Sequence, residues 1–289
     1  MQRVILFSLL LLTAVRVCAA DQLPTVVSTN LCADWLALSL VEPQQLLAVS
    51  RQSHDPTLSP VTAQAKRFPA IRGSAEEVLH LKPDIVLVSF GWDGRRLREL
   101  LEAQDIRMVT MPYPRRWRET LETTLKMAKL LGQPERGQAI VARASARMRA
   151  LQATTRPYRI LYLRPNGGTA GANTYIDDVL TRLGLRNYAK LKGHSGWGHF
   201  PLEHLVMAKP DAFLLVSGTF DEQLPRRDSA YARHPLLQRL LQQAPAVWAP
   251  ARYWGCGGWQ LVETAEKIVR QVNALDLPPP GEAKRRPRR

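Results

Sequence analysis

One phrase occurs twice in this chain, each time where a helix-forming stretch gives way to a β-forming one. The first copy is SAEEVLHLKPDIVLVS at residues 74–89, and the second is FPLEHLVMAKPDAFLLVS at residues 200–217. A gapless alignment makes these pairs: Glu76 with Glu203, Lys82 with Lys209, Pro83 with Pro210, and Asp84 with Asp211. Proline stops a helix, and the apolar run after each aspartate predicts a buried strand. The repetition therefore predicts a duplicated α/β unit.

The pattern around each copy extends this prediction to the whole chain. Strand-like runs at 25–28, 46–50, 84–89 and 107–111 alternate with helical patterns. A second series follows, with strands at 158–163 and 246–250 and the echoed helix and strand at 202–217 between them. Strands that alternate with helices predict parallel sheets built from βαβ crossovers. The stretch between the two series is helical, with one soft break at Gly132, and it predicts a long helix that crosses from one unit to the other. The predicted bounds are 21–133, a connecting helix at 134–156, and 157–276.

The two ends of the chain have compositions of their own. MQRVILFSLLLLTAVRVCAADQ has the layout of a secretory signal peptide over residues 1–20, with cleavage near Ala20. Its apolar run is too short for a transmembrane anchor, and Val17 before Cys18 does not fit a lipoprotein. Residues 277–289 combine a run of prolines with basic residues and predict a disordered basic tail. The formal charge is +15, but an exported chain rarely meets nucleic acid, so an anionic ligand or membrane surface fits better.

Three segments carry a resemblance to a known family. VVSTNLCADWLALSL, the doubled E-x-[VL]-x-x-x-K-P-D and TAGANTYIDDVLTRLGLRN resemble the periplasmic substrate-binding proteins that serve ABC importers of ferric siderophores, haem and cobalamin. The resemblance implies two Rossmann-like α/β lobes with parallel sheets, joined by a single long helix, and a ligand cleft between them. It also implies a periplasmic monomer that is not an enzyme and that delivers its ligand to a membrane permease dimer.

The same resemblance gives the doubled glutamate a role. In this family one surface glutamate on each lobe meets arginines of the permease, and by position these are Glu76 and Glu203. Charges at the rim of an interface favour orientation and association rate more than affinity. The alternative is that each glutamate only complements a helix dipole, and Ser74 with Glu77 predicts a capping box beside Glu76.

Candidate ligand contacts come from the loops that follow the predicted strands, because ligands bind outside the carboxyl ends of parallel strands. Aromatic residues beside glycines in these loops suggest surfaces for a large, partly apolar ligand. The alternatives are that the aromatic residues anchor the loops and that the arginines mark a solvated helix start. The ligand is expected to be a corrinoid or a ferric siderophore, with no other cofactor. The predicted contacts are His54, Trp92, Tyr113, Arg116, Trp117, Asn173, Trp197, Trp254 and Gly257.

Cysteines and histidines leave further alternatives open. Cys32 and Cys256 both fall on the predicted cleft side, where they form either a disulfide that staples the lobes or two unlinked buried thiols. The spacing of His194 and His199 matches no established metal motif, so no metal site is predicted. The sequence has no G-x-S-x-G, phosphate-loop or HExxH motif. Three alternatives remain. They are a periplasmic chelate-processing enzyme, with His54 beside an aspartate, a periplasmic metal-ion or haem-binding protein on the same fold, and a scaffold that binds only a permease or receptor.

Overall fold

The computed structural model describes residues 23–89, 95–207, 209–217 and 230–275. The predicted signal peptide and the predicted basic tail both lie outside these ranges. Within them the chain forms two parallel β-sheets with helices on both faces, which is the α/β class that the sequence predicts. No helix in the described ranges is long and apolar enough to cross a bilayer.

The first unit contains a sheet of parallel strands in the order β3-β2-β1-β4-β5. Its strands are buried from both faces, since Val26 packs in one apolar cluster and Val27 in another on the opposite face. Its strands are β1 (Val26–Ser28), β2 (Leu46–Ser50), β3 (Ala70–Ile71), β4 (Ile85–Ser89) and β5 (Arg107–Met111), and its helices are α1 (Leu31–Leu40), α2 (Thr62–Ala65), α3 (Ala75–Leu81) and α4 (Arg95–Glu102).

Two helices, α5 (Trp117–Leu130) and α6 (Pro134–Ala150), follow and connect the units. The sequence predicts a connecting helix at 134–156 after a soft break at Gly132. In the structure Leu131 ends α5, and Gly132 takes the left-handed φ of +73° that reverses the chain. Gly137 of α6 then packs on Ala128 of α5, a contact that leaves no room for a side chain at Gly137. The two helices are therefore an antiparallel pair, and α6 ends at Ala150 rather than at residue 156.

Each helix of this pair runs from one hydrophobic core to the other. In α5, Trp117 belongs to the core of the second unit, whereas Met127 belongs to the core of the first. In α6 the direction is opposite: Ile140 packs on the first core and Met148 on the second. Including the loop at residues 112–116, the chain crosses between the units three times.

The second unit repeats the topology of the first. Its parallel strands have the order β11-β10-β6-β8, which matches the order β5-β4-β1-β2 of the first sheet. An antiparallel ribbon of β7 and β9 is added beside it. The strands are β6 (Arg159–Leu163), β7 (Gly168–Ala170), β8 (Arg186–Asn187), β9 (Trp197–His199), β10 (Ala212–Ser217) and β11 (Ala246–Pro250), and the helices are α7 (Tyr175–Arg182), α8 (Tyr188–Leu191), α9 (Glu203–Met207), α10 (Pro235–Gln243), α11 (Ala251–Trp254) and α12 (Leu261–Ala274).

The repeated Lys-Pro-Asp has an equivalent structural role in both units. Asp84, just before β4, accepts a 2.7 Å hydrogen bond from the backbone N–H of Thr25 at the start of β1. Asp211, just before β10, accepts a bond of the same length from the backbone N–H of Arg159 at the start of β6. Each aspartate thus joins the beginnings of the two central strands of its sheet, at the edge opposite to the loops that carry the candidate site.

Candidate functional site

The two units meet through aromatic side chains from loops at the carboxyl ends of their strands. Tyr113 comes two residues after β5, and its ring centroid lies 5.8 Å from that of Tyr175 at the start of α7. The ring centroid of Trp197 in β9 lies 6.1 Å from Tyr113 and 5.6 Å from Tyr175. The three rings, which we call the aromatic face, therefore combine one residue of the first unit with two of the second.

The aromatic face rests on a buried layer. Tyr175 is 1% exposed, and its hydroxyl donates a 2.9 Å hydrogen bond to the carbonyl of Trp254, which is also 1% exposed. Tyr162 of β6 packs against Trp197 and Trp254 from below. Burial raises the pKa of Tyr175 well above its ordinary value and also raises the pKa of Tyr162. Both phenols therefore stay neutral, and the layer supports the exposed rings above it.

The exposed members of the face are Tyr113, at 50%, and Trp197, at 39%. Burial raises the pKa of Tyr113, while a hydrogen bond with Tyr175 and the nearby charge of Arg164 oppose this rise. Arg164 follows β6, is exposed, and forms no ion pair with any residue in the described ranges. Aromatic faces beside an uncommitted guanidinium suit a flat, partly apolar ligand that carries negative charge.

The buried carboxylate of Asp34 orders two segments of the first unit at the carboxyl ends of its strands. Asp34, in the first turn of α1, accepts hydrogen bonds from the backbone N–H of Ser50 at 3.1 Å and from the hydroxyls of Ser50 and Ser53 at 2.5 Å. Burial raises the pKa of Asp34, and the serine hydrogen bonds oppose the rise. The carboxylate thereby fixes the segment after β2 against the start of α1.

A disulfide joins the two units beside the aromatic face. It links Cys32, in the first turn of α1, to Cys256, in the loop after α11, with 5.2 Å between the two Cα atoms. Next to it, the hydroxyl of Thr120 in α5 donates a 2.8 Å bond to the carbonyl of Gly257. Gly257 has a φ of +59°, and a Cβ there would lie 2.9 Å from a side-chain carbon of Pro114. This glycine allows the two units to approach so closely.

The structure places two predicted ligand contacts in the core. Trp117 and Trp254 are 4% and 1% exposed, and both belong to the large apolar cluster of the second unit. Although both are at the ends of helices, next to loops, their indoles turn inward into this cluster. Trp254 also packs against Tyr162 and Tyr175 and so supports the aromatic face from its buried side.

The other predicted contacts have varied positions. His54 is half-buried and its Nε2 lies 3.0 Å from the carbonyl of Ala65, so one ring nitrogen holds α2 in place. Asn173 is exposed, has a left-handed φ of +60°, and donates a 3.3 Å bond from Nδ2 to Ser195. Arg116 is exposed at the start of α5. Trp92 lies outside the described residues.

The two predicted docking glutamates are both exposed in the first turn of a helix, Glu76 in α3 and Glu203 in α9. Neither forms an ion pair with another described residue. The backbone N–H of Glu76 and the hydroxyl of Ser74 lower the pKa of Glu76, which is therefore ionised at neutral pH. Both carboxylates are available to a cationic partner.

The histidines do not assemble into a metal site. His194 lies against His204 of α9, with 5.9 Å between ring centroids, and His199 lies against Tyr231. Burial and the neighbouring His204 lower the pKa of His194. Among the described residues, no group of three or more histidine, cysteine, aspartate or glutamate side chains could hold a metal ion.

Sequence reasoning missed two contributors to the site. Arg164 lies in the loop RPNGGTAGANTY, and its position after a strand was the only signal for it. Tyr162 is inside β6, where an aromatic residue predicts core packing, so no sequence signal marks it as a support for the aromatic face.

One family model matches this chain. A family model described as "Periplasmic binding protein" matches residues 26–244. A search of curated protein sequences gives no match.

Several solved structures share the fold. The periplasmic haem-binding protein HutB of Vibrio cholerae is 20% identical, with a TM-score of 0.71 over 86% of this chain and 98% of that one. The haem-binding protein RhuT of Roseiflexus sp. RS-1 is also 20% identical, with a TM-score of 0.63 over 87% and 99%. The vitamin B12-binding protein BtuF of Vibrio cholerae is 16% identical, with a TM-score of 0.64 over 87% and 97%.

Proposed function

This chain belongs to the periplasmic binding protein family, and we propose that it captures a metal chelate and delivers it to the permease of an ABC importer. The family consists of substrate-binding components of such importers, so the chain is a solute-binding protein and not an enzyme. The proposal concerns the chemical class of the ligand, the residues that hold it and the surface that meets the permease. It also includes removal of residues 1–20 during export, which mass measurement of the exported protein would test.

The aromatic face is the observation that carries this proposal. Tyr113 of the first unit and Trp197 of the second expose flat rings, so a ligand that contacts the two rings is held by the two units together. Arg164 and Arg116 are exposed, and neither forms an ion pair with another described residue, so both offer positive charge to carboxylate or catecholate oxygens. A haem, a corrinoid or a ferric siderophore combines apolar area with polar or anionic groups in this way. HutB and RhuT are haem-binding proteins and BtuF binds vitamin B12, which favours the same class.

Quenching of tryptophan fluorescence tests ligand capture. We expect one of haemin, cyanocobalamin or a panel of ferric siderophores to quench the protein with one-to-one stoichiometry and to be recovered chemically unchanged. Trp197→Ala should weaken binding at least tenfold, because it removes one wall of the aromatic face. Trp248→Phe is the matched control, since Trp248 packs in another cluster of the second unit. The absence of quenching by every ligand would contradict the proposal.

The positions of His54 and Asp55 disfavour the alternative of a chelate-processing enzyme. Such an enzyme requires these two residues as a titratable pair in the cleft. His54 instead binds the carbonyl of Ala65, and the carboxylate of Asp55 accepts bonds from the backbone and hydroxyl of Thr57 at 2.8 and 2.7 Å. Both side chains serve local structure. Recovery of a chemically altered ligand would favour the enzyme.

Docking to the permease is assigned to Glu76 and Glu203. Two exposed carboxylates at equivalent positions of two similar units give a two-point contact for a permease dimer. The double variant Glu76→Gln/Glu203→Gln should lose stimulation of the importer's ATPase while its affinity for ligand is unchanged. Glu135→Gln is the matched control, because Glu135 is also exposed in the first turn of a helix. If the double variant loses ligand binding, the assignment to docking is wrong.

A further inference from the structure

The second unit exposes two large apolar side chains on the helix that carries Glu203. Val206 and Met207 of α9 are 64% and 87% exposed, and they are the most exposed large apolar residues in the described ranges. Leu205 is the only residue of α9 that belongs to a hydrophobic cluster of the described residues. Val206 and Met207 therefore contribute little to the packing of the unit that carries them.

The corresponding helix of the first unit has no such pair. In the gapless alignment of the repeated phrase, Leu79 corresponds to Val206 and His80 to Met207. Leu79 is half-buried and packs on a hydrophobic cluster of the first unit, whereas His80 is exposed and polar. The exposed apolar surface is thus a property of the second unit and not of the repeated helix.

The two apolar side chains share one face of α9 with the carboxylate of Glu203. They follow Glu203 by three and four positions, and residues at these spacings are neighbours on a helix surface. Leu205 lies on the opposite side of the helix and is fully buried. The helix therefore turns outward a single patch of one carboxylate and two apolar side chains. We call Glu203, Val206 and Met207 the docking patch.

The chemistry of the docking patch specifies its partner. A carboxylate beside apolar side chains suits arginine, because the methylene stem of arginine packs on apolar surface while its guanidinium binds the carboxylate with two hydrogen bonds. Apolar groups around such a pair exclude water and strengthen the attraction between the charges. Val206 and Met207 together offer more apolar surface than one arginine stem covers, so apolar side chains flank the arginine in the partner. The charge of Glu203 excludes an anionic lipid surface.

We propose that the docking patch binds a permease segment in which apolar side chains flank an arginine, so that the two docking sites differ in kind. The contact at Glu203 buries apolar surface, whereas the contact at Glu76, with His80 one turn later, is made by polar groups. The proposal rests on the assignment of the two glutamates to docking. Charges at the rim act mainly on the association rate, and buried contacts act mainly on the dissociation rate.

Dissociation of the mature protein from its importer, reconstituted in lipid nanodiscs, tests the proposal. Val206→Ser/Met207→Ser should dissociate at least about tenfold faster with an unchanged association rate, because it removes the burial of two apolar side chains. Its midpoint of thermal unfolding should not change. Leu125→Ser is the matched control, since Leu125 is also exposed but lies on α5. An unchanged dissociation rate of the double serine variant would overturn the proposal.

The converse substitution is His80→Met, which places an apolar side chain one turn after Glu76. A permease dimer presents the same segment to both units, so the new side chain should meet the same apolar groups as Met207 does. We expect His80→Met to dissociate about three- to tenfold more slowly. Dissociation at the rate of the wild type would refute the apolar character assigned to the permease segment.

Glu203→Gln separates this proposal from the docking assignment on which it rests. If Glu203→Gln slows association while Val206→Ser/Met207→Ser changes nothing, the docking assignment stands and the apolar contact is refuted. If neither variant changes binding to the importer, the docking assignment fails and the proposal fails with it. Sedimentation velocity covers the other occupant. If the double serine variant loses self-association but binds the importer like the wild type, the patch joins two copies of this chain and the proposal is overturned.

Discussion

Removal of the disulfide between Cys32 and Cys256 should lower the free energy of unfolding by several kilocalories per mole. The two cysteines are 224 positions apart, so the link closes most of the chain into one loop. The loop-closure relation gives about 5 kcal/mol for a loop of this length, and measured losses are typically about 2–4 kcal/mol. We expect Cys32→Ser/Cys256→Ser to lose about 3–5 kcal/mol.

The variant should still fold, because the crossing helices and the hydrogen bond from Thr120 to Gly257 also join the units. Guanidinium denaturation of the oxidised wild type and the double serine variant measures the loss. The midpoint of thermal unfolding should fall by about 2–4 °C for each kcal/mol. Reduction of the wild type should reproduce the variant, whereas the same reductant should not change the variant. Equal stability of oxidised wild type and variant, or two alkylatable thiols in the exported protein, would refute the reasoning.

Three further predictions concern single sites, each measured by chemical denaturation. Arg147 lowers the pKa of Glu266, so the pair stabilises the fold above pH 4.5, and this contribution is lost as the pH falls through the lowered folded-state pKa. Arg147→Met should therefore cost about 1 kcal/mol at pH 7 and progressively less as the pH falls below 4.5, and a cost that does not change with pH contradicts this. Gly257→Ala should lower the free energy of unfolding by about 2–3 kcal/mol. Gly193→Ala should cost less, because Gly193 also has a left-handed backbone but has open space around it. Equal costs would show that close packing at Gly257 does not matter. Asp34→Ala should cost about 2–4 kcal/mol, because it leaves buried serine hydroxyls unpaired, and a change below about 0.5 kcal/mol would contradict this.

Regular local patterns made much of the fold predictable. The strand runs at 46–50, 107–111 and 246–250 coincide with β2, β5 and β11, because apolar β-forming runs bounded by helix stops allow little else. The short strands β3, β7, β8 and β9 have two or three residues each and were not predicted. Strands of this length have no period of their own and form only because a neighbouring strand pairs with them.

Features that depend on tertiary contacts could not be predicted from the sequence. Gly132 looks like a soft break in a helix, but its left-handed φ and the packing of Gly137 on Ala128 fold the segment back on itself. The indoles of Trp117 and Trp254 look like loop aromatics, but they fill the second core. The loop sequences predicted Tyr113 and Trp197 as residues of the site. They did not predict Arg164, because the local sequence does not distinguish an arginine that lies beside an aromatic ring from one that is surrounded by solvent.

The antiparallel pair of α5 and α6 bears on how this protein responds to its ligand. A single helix between two domains can bend at one point, but here bending one helix requires its partner to slide along a contact with no spare volume at Gly137. We therefore expect the reorganisation energy of ligand binding to be small. The association rate should then be set by the diffusional encounter of ligand and protein rather than by closure of the two units around the ligand. Small-angle scattering profiles with and without ligand should therefore superimpose. A permease would have to recognise the loaded protein through local changes at the rim.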